Sequence, residues 1–404
     1  MNNSTPNTAD DAEKAAVRVH TIANEVGFAL AGIAPAQQSD NEQALMDWLD
    51  AEKYGEMSYL AKYTPQRLDP AVILPGAQSV ICVADLYPAS TPTDQSSSKT
   101  SITNVHSQFE LESNDENASE NPRGQIARYA WGDDYHKIIK RRLFKMADAL
   151  KQQWPGAEFK CCVDTAPVLE REHAMRAGLG WVGKHTLLIH PKLGSWMLLG
   201  EIITTLKIQT SEQADWPNST VPPTDHCGTC TRCIDACPTD CITPYSLDAT
   251  QCISYLTIEH RNIIDEKLHD KMGDWIAGCD ICQQVCPHNQ EEQGVRPPAS
   301  GSISPNTSNF QEQYKTRPPG PSISLLEILN WTPEDRQQIL TGSALKRIKI
   351  DMWKRNALIA LGNTLIKQDN PAIRQRIADI CNDTNESELV RHTATQVLNR
   401  IALN

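Results

Sequence analysis

With 404 residues the chain is too long for one ordinary domain, so two or three are expected. Hydrophobic residues make up 40% and charged residues 22%, enough for real cores. The formal net charge of -12 argues against a generally basic nucleic-acid binder, although local basic patches can act alone.

The opening stretch MNNSTPNTADDAEK has no apolar h-region and no paired arginines, and no apolar run reaches membrane-spanning length. A cytoplasmic location with no membrane partner is therefore expected. Thiols stay reduced there, so clustered cysteines read as metal ligands or catalytic groups rather than disulfides. Of the 13 cysteines, eleven lie between Cys161 and Cys286.

Residues 10–27 have helical character and stop at Gly27, a plausible C-cap. FALAGIAP reads as a short strand and SVICVADLYP (79–88) as a stronger one. Residues 89–124 are polar and rich in Ser, Asn and Glu, which predicts a mobile insertion. Helical spacing of apolar residues resumes from Ile138 to Leu150. The segment from Glu158 to Leu206 reads as strand, helix, then two strands turned around Lys192-Leu193-Gly194. This alternation favours an α/β layer architecture over 10–219. A cysteine-rich domain follows over 220–290, then a Pro/Ser/Gly-rich linker over 291–321. Residues 322–404 carry successive short amphipathic helices, the pattern of a stacked helical-repeat domain. The fold class expected is thus α+β multidomain.

Cys227-x2-Cys230-x2-Cys233-x3-Cys237-Pro238 matches the bacterial ferredoxin run, whose fourth cysteine ligates the other of two clusters. A second, shorter run, Cys279-x2-Cys282-x3-Cys286-Pro287, ends in the same Cys-Pro, and Cys252 lies upstream of it. The arithmetic closes as two [4Fe–4S] sets. One takes Cys227, Cys230, Cys233 and Cys286; the other takes Cys237, Cys252, Cys279 and Cys282; Cys241 is left over. A pair of zinc sites is the rival reading, but this spacing is unusual for zinc. Cys82, Cys161, Cys162 and Cys381 read as small buried hydrophobes.

Two clusters form an electron wire, which needs an outlet. Asp164 lies at a predicted strand end just before a helix, where ligands gather in α/β sheets. On sequence grammar alone an ordinary helix N-cap is the favoured reading of an Asp there. Arg128 and His136, in RYAWGDDYHK, read as possible surface residues, and GLGWVGKHTLL as a plain turn feeding a strand.

Together VDTAPVLER (163–171), AGLGWVGKHTLLI, both cysteine runs, CISYLTIE (252–259) and GCDICQQVCPHN (278–289) resemble the epoxyqueuosine reductases. Order and spacing match from GEMSYLA (55–61) to WKRNALIALGN (353–363). The resemblance implies a cobalamin-dependent oxidoreductase with two [4Fe–4S] clusters. Such enzymes reduce epoxyqueuosine to queuosine at the wobble base of tRNA, the last step of queuosine synthesis. It further implies an α/β corrinoid-binding domain, a ferredoxin-like cluster domain and a C-terminal HEAT-like domain. Asp164 takes the place of the proton donor. An acid working near neutral pH needs its pKa raised, and the apolar neighbours Val163, Ala166 and Val168 are compatible with that. Arg67, Arg128, Lys184, His185, Ser254 and Asp280 match polar positions around the corrinoid. The D-x-H-x-x-G motif of another cobalamin class is missing.

For the tRNA, the segment 344–356 offers Lys346, Arg347, Lys349, Lys354 and Arg355 against one acid, Asp351, and 136–145 is a second basic run. A solvated helix face is the bland alternative for any one of them. An external electron donor and a monomeric chain complete the expectation. A corrinoid reductive dehalogenase is the nearest rival, and an iron–sulfur carrier fused to a tRNA-binding scaffold is the rival from another class.

Overall fold

The structure is a computed structural model that describes residues 9–87, 121–212, 225–289, 314 and 316–403. Among them no helix is long and apolar enough to cross a membrane. The chain packs as two compact units with interleaved segments. One holds residues 1–87, 132–252 and 280–315; the other holds 88–131, 253–279 and 316–404.

The first unit is built on a four-stranded sheet, in the order Leu30–Pro35, Ser79–Leu86, Met197–Thr204, Phe159–Cys162. Every neighbouring pair is antiparallel. The expected α/β layering is corrected here: helices and strands do alternate, but the sheet is antiparallel. Alternation records the order of elements along the chain, not their direction. The strand Ser79–Leu86 has seven consecutive buried residues, because helices cover both faces of the sheet. On one face the helix Tyr135–Gln153 buries Ile139, Leu143, Met146 and Leu150. Gly200 faces this helix, since a Cβ there would lie 2.6 Å from Ile139. The other face packs Val80, Cys82 and Ala84 against Cys162, Val168, Ala174 and Leu179. Gly32 permits the close approach, since a Cβ there would stand 2.1 Å from the Ala177 carbonyl oxygen. Cys82 and Cys162 are thus core residues, as expected, and burial pushes both thiols up. The first helix, Ala9–Glu25, matches its expected span.

The second unit has a three-stranded sheet with Arg123–Ile126 in the middle, parallel to Trp275–Ala277 and antiparallel to Ser322–Ser324. The expected insertion over 89–124 lies outside the described residues except for its last four. Of those, Arg123 and Gly124 belong to this strand. Five helices follow, Leu325–Leu329, Pro333–Leu340, Ile350–Lys367, Pro371–Asn382 and Glu388–Ala402. Their starts are capped by Ser324, Thr332, Asn370 and Ser387, with Pro at the first turn of two of them. Ile350–Lys367 is buried nearly all round, the mark of a helix at the centre of a core rather than at its edge.

That central position corrects part of the expected basic surface. Arg355 is 0% exposed. It donates to the carbonyls of Leu256 at 2.6 Å, His260 at 2.7 Å and Asn262 at 2.7 Å. Lys354 is also buried and pairs with Glu386 at 2.6 Å. Both charges satisfy the interior of the unit and are not available to phosphates. Most of the predicted linker 291–321 lies outside the described residues. Tyr314, however, is an anchor in the first unit, donating its hydroxyl to Asp85 at 2.7 Å. Asp85 also pairs with buried Arg142.

Candidate active site and cluster ligands

The strand Phe159–Cys162 delivers the chain to a tight loop at Asp164, whose φ of 39° lies in the left-handed region. Few residue types tolerate that conformation, and Asp is among them. The following helix runs from Glu170 to Arg176, and its N-cap is Leu169, with no side-chain cap hydrogen bond. The N-cap explanation for Asp164 therefore fails. Instead the Asp164 N–H donates to the Glu170 carboxyl at 2.5 Å, which pins the loop. Burial, with the charges of Asp164 and Glu201, lifts Glu170 to about 8.

The Asp164 carboxylate faces His136, with Oδ2 lying 2.8 Å from Nε2. The other ring nitrogen, Nδ1, lies 2.8 Å from Asp134. Asp134 is the N-cap of the helix Tyr135–Gln153, so helix formation itself fixes the ring. Burial pulls the imidazole down, but its hydrogen bonds to Asp134 and Asp164 and their charges outweigh it, lifting His136 to about 9. An imidazolium between two carboxylates donates to both. The apolar shelter expected around Asp164 is not found, since its side chain is 44% exposed. The pairing with His136 favours the charged carboxylate of Asp164, the opposite of what apolar burial would do. Asp134 and Glu170 drew no notice in the sequence, and His136 read there as a possible surface residue. The one available signal was His136 standing two positions after a helix-capping Asp.

The first thiol set comes together in one pocket of the first unit. Cys227, Cys230, Cys233 and Cys286 all line it, with Ile189, His226 and His288. Cys286 reaches residues some sixty positions upstream through a small cluster with Trp181 and Ile189. Trp181 meets His226 at 4.8 Å and His288 at 4.9 Å, both edge to face. Lys184 donates to the carbonyls of Gly228 at 2.6 Å and Cys230 at 3.0 Å, so its amine braces the cysteine loop. His185 lines the same pocket and is buried, which pushes it down to about 4 and keeps it neutral. These two residues, expected at the corrinoid, thus sit against the first thiol set.

In the second set, Cys237, Cys252 and Cys282 belong to the first unit, with Cys279 three residues before Cys282. None of the thirteen cysteines forms a disulfide. Asp280 is buried and opens the helix Ile281–Gln284. Its carbonyl accepts from Gln283 at 2.9 Å and Gln284 at 2.8 Å. Arg67 is half-buried, and its Nε is buried without a hydrogen-bond partner among the described residues. Arg128 and Ser254 lie in the second unit, where Arg128 stacks over Trp131 at 5.3 Å.

Four thiols lining one pocket, in a chain with a second group of cysteines and a carboxylate hydrogen-bonded to an imidazole, have the make-up of an iron–sulfur oxidoreductase. A family model described as a 4Fe-4S double cluster binding domain matches residues 226–289. A second, described as Epoxyqueuosine reductase QueG, DUF1730, matches residues 67–165. The epoxyqueuosine reductase of Burkholderia pseudomallei is 36% identical over 89% of this chain and 84% of its own length. That of Synechocystis is 38% identical over 81% of this chain and 98% of its own. The chain belongs to the epoxyqueuosine reductase family. The solved epoxyqueuosine reductase of Streptococcus thermophilus, 27% identical, superposes with a TM-score of 0.74 over 96% of this chain and 90% of that one. An epoxyqueuosine reductase solved with an epoxyqueuosine-modified tRNA stem loop has the same fold, with a TM-score of 0.73 over 95% of this chain and 89% of that one.

Proposed function

We propose that the chain reduces epoxyqueuosine to queuosine at the wobble position of tRNA, the last step of queuosine biosynthesis. Its redox groups are two [4Fe–4S] clusters and cobalamin, and Asp164 is its proton donor. The observation that carries this reading is the Asp164–His136–Asp134 relay in a chain of this family. Loss of the epoxide oxygen as water takes two electrons and two protons. The departing oxygen is a poor leaving group until it is protonated, which calls for a positioned acid. Asp164 is exposed enough to meet substrate, and His136 holds the replacement proton 2.8 Å behind it. Glu170 keeps the loop in its left-handed turn, so the carboxyl stays aimed while the proton moves.

The first thiol set fits a cluster in that its four cysteines converge on one pocket from distant parts of the chain. Cobalamin, when bound, supplies a strongly reducing metal centre that no side chain offers. Among the residues the resemblance assigns, Arg67 Nε and His185 Nε2 are buried without a hydrogen-bond partner among the described residues, and each calls for an acceptor. Arg128, Ser254 and Asp280 remain part of the proposed corrinoid contacts. We assign the α/β-type region, the cluster region and a HEAT-like helical region at 322–404 to catalysis, electron supply and tRNA binding. An external donor provides the electrons to a monomer in the cytoplasm. The dehalogenase and electron-carrier readings are not favoured, because the relatives named above are epoxyqueuosine reductases. Incubating the reconstituted chain with epoxyqueuosine-bearing tRNA and a low-potential reductant should yield queuosine. Full cluster loading with no conversion would refute this reading.

Of the proposed tRNA contacts, Lys346 and Lys349 are exposed, while Arg347 pairs with Glu259 at 2.7 Å. Reversing Lys346 and Lys349 together to Glu should weaken tRNA binding. It should also flatten the log–log salt dependence by roughly one to two units, as expected for two lost phosphate contacts. Binding curves unchanged across a salt series would exclude this face.

A further inference from the structure

Beside the four cysteines of the second thiol set stands a fifth, Cys241, that a cluster does not need. Cys241 is 6% exposed, and its Sγ lies 3.4 Å from Cys237 Sγ. It also hydrogen-bonds Cys252, so it touches two of the four thiols assigned to the second cluster. The contact is built by the backbone. Asp240 has a positive φ of 54°, which turns the chain so that thiols four residues apart meet. The Cys241 carbonyl then accepts the Asp248 N–H at 2.9 Å, locking it to the hairpin Ile242–Thr243/Ser246–Leu247. A small apolar residue would fill the space without making either thiol contact.

We propose that Cys241 is a reserve ligand of the second [4Fe–4S] cluster, able to take over an iron corner from Cys237. The inference rests on the assignment of Cys237, Cys252, Cys279 and Cys282 to that cluster. In the exchange, the iron–sulfur bond to Cys237 breaks and one to Cys241 forms. The proton of the Cys241 thiol passes to the released Cys237 thiolate, and no oxidation state changes. The Sγ–Sγ separation of 3.4 Å lets the iron change partners with a small shift of the cluster.

Anaerobic reconstitution followed by iron and acid-labile sulfide counts tests this. Cys237→Ala should retain about eight irons per chain, and the double variant Cys237→Ala/Cys241→Ala only about four, like Cys252→Ala. A count of about four in Cys237→Ala alone overturns the proposal, and so does a count of about eight in the double variant. A count of about four in Cys241→Ala alone also overturns it and points to an error in the ligand assignment itself. If Cys237→Ala does not fold, the chain with intact Cys237 still decides. Cys241→Ala should lose its second cluster to a ferrous chelator several-fold faster than the unsubstituted chain, because a broken bond is no longer caught. Equal rates of loss would overturn the reserve role.

Discussion

Replacing Asp164 with Asn should leave about eight irons bound and lower turnover by about 10²- to 10⁴-fold, the usual worth of a general acid. The amide keeps the shape and can still face His136, but it cannot deliver a proton to a departing oxygen. Wild-type turnover in this variant would remove Asp164 from the proton-donor role. His136→Gln tests the supply behind it. His136 is held at about 9, above its ordinary value of 6.5. Its pairing therefore stabilises the fold fully below about pH 6.5, and this contribution is lost as pH rises through about 9. Between those limits the unsubstituted chain should lose up to about 3 kcal/mol that the Gln variant never had. Melting temperatures across that window read the difference, and parallel curves would show that the pairing does not form. Turnover of the Gln variant should fall and lose its alkaline limb, whereas a purely structural role would change stability alone.

Replacing Cys286 with Ala should remove about four irons and abolish turnover. Cys286 stands far from Cys227 in sequence but lines the same pocket. Its loss leaves three thiolates for a cluster that needs four. The comparison variant is Cys161→Ala, whose side chain is partly buried outside both thiol sets. It should keep its full iron content. If Cys286→Ala keeps its irons, Cys286 does not complete the first set.

The double-cluster region was legible because cluster ligands are spaced by chemistry along the chain, and the Cys-Pro ends mark each run. Asp164 was located by its motif, but its surroundings were not. Its partner His136 comes from a different helix 28 residues earlier, and only packing brings the two together. The same limit explains the basic segment. Lys346 and Arg355 carry the same sign of charge, yet one faces solvent and the other sits at the centre of a core. Charge runs along a helix do not state which side is outside, and a buried Arg is paired to backbone carbonyls that no pattern displays. The strand Ser79–Leu86 was readable from its β-branched apolar run, whereas Arg123–Ile126, at the end of a polar stretch, was not, and neither was strand direction. Tyr314 was hidden within a stretch of loop-like composition.

The interleaving of the two units sets a timetable for the maturation of the protein. Residues 253–278 lie between the proposed ligands Cys252 and Cys279, yet they pack with the C-terminal segment, where Arg355 gathers the carbonyls of Leu256, His260 and Asn262. A ribosome releases every cluster thiol before it makes Arg355. The growing chain therefore displays both sets while the stretch that spaces the second is still without its partner helix. Ribosome-bound chains halted before Arg355 should accept iron in the first set and not in the second. Equal loading of both would show that the spacing stretch folds without that helix. On that expectation the second set takes iron only in the finished chain, and an error near the C-terminus would be felt first as a missing cluster.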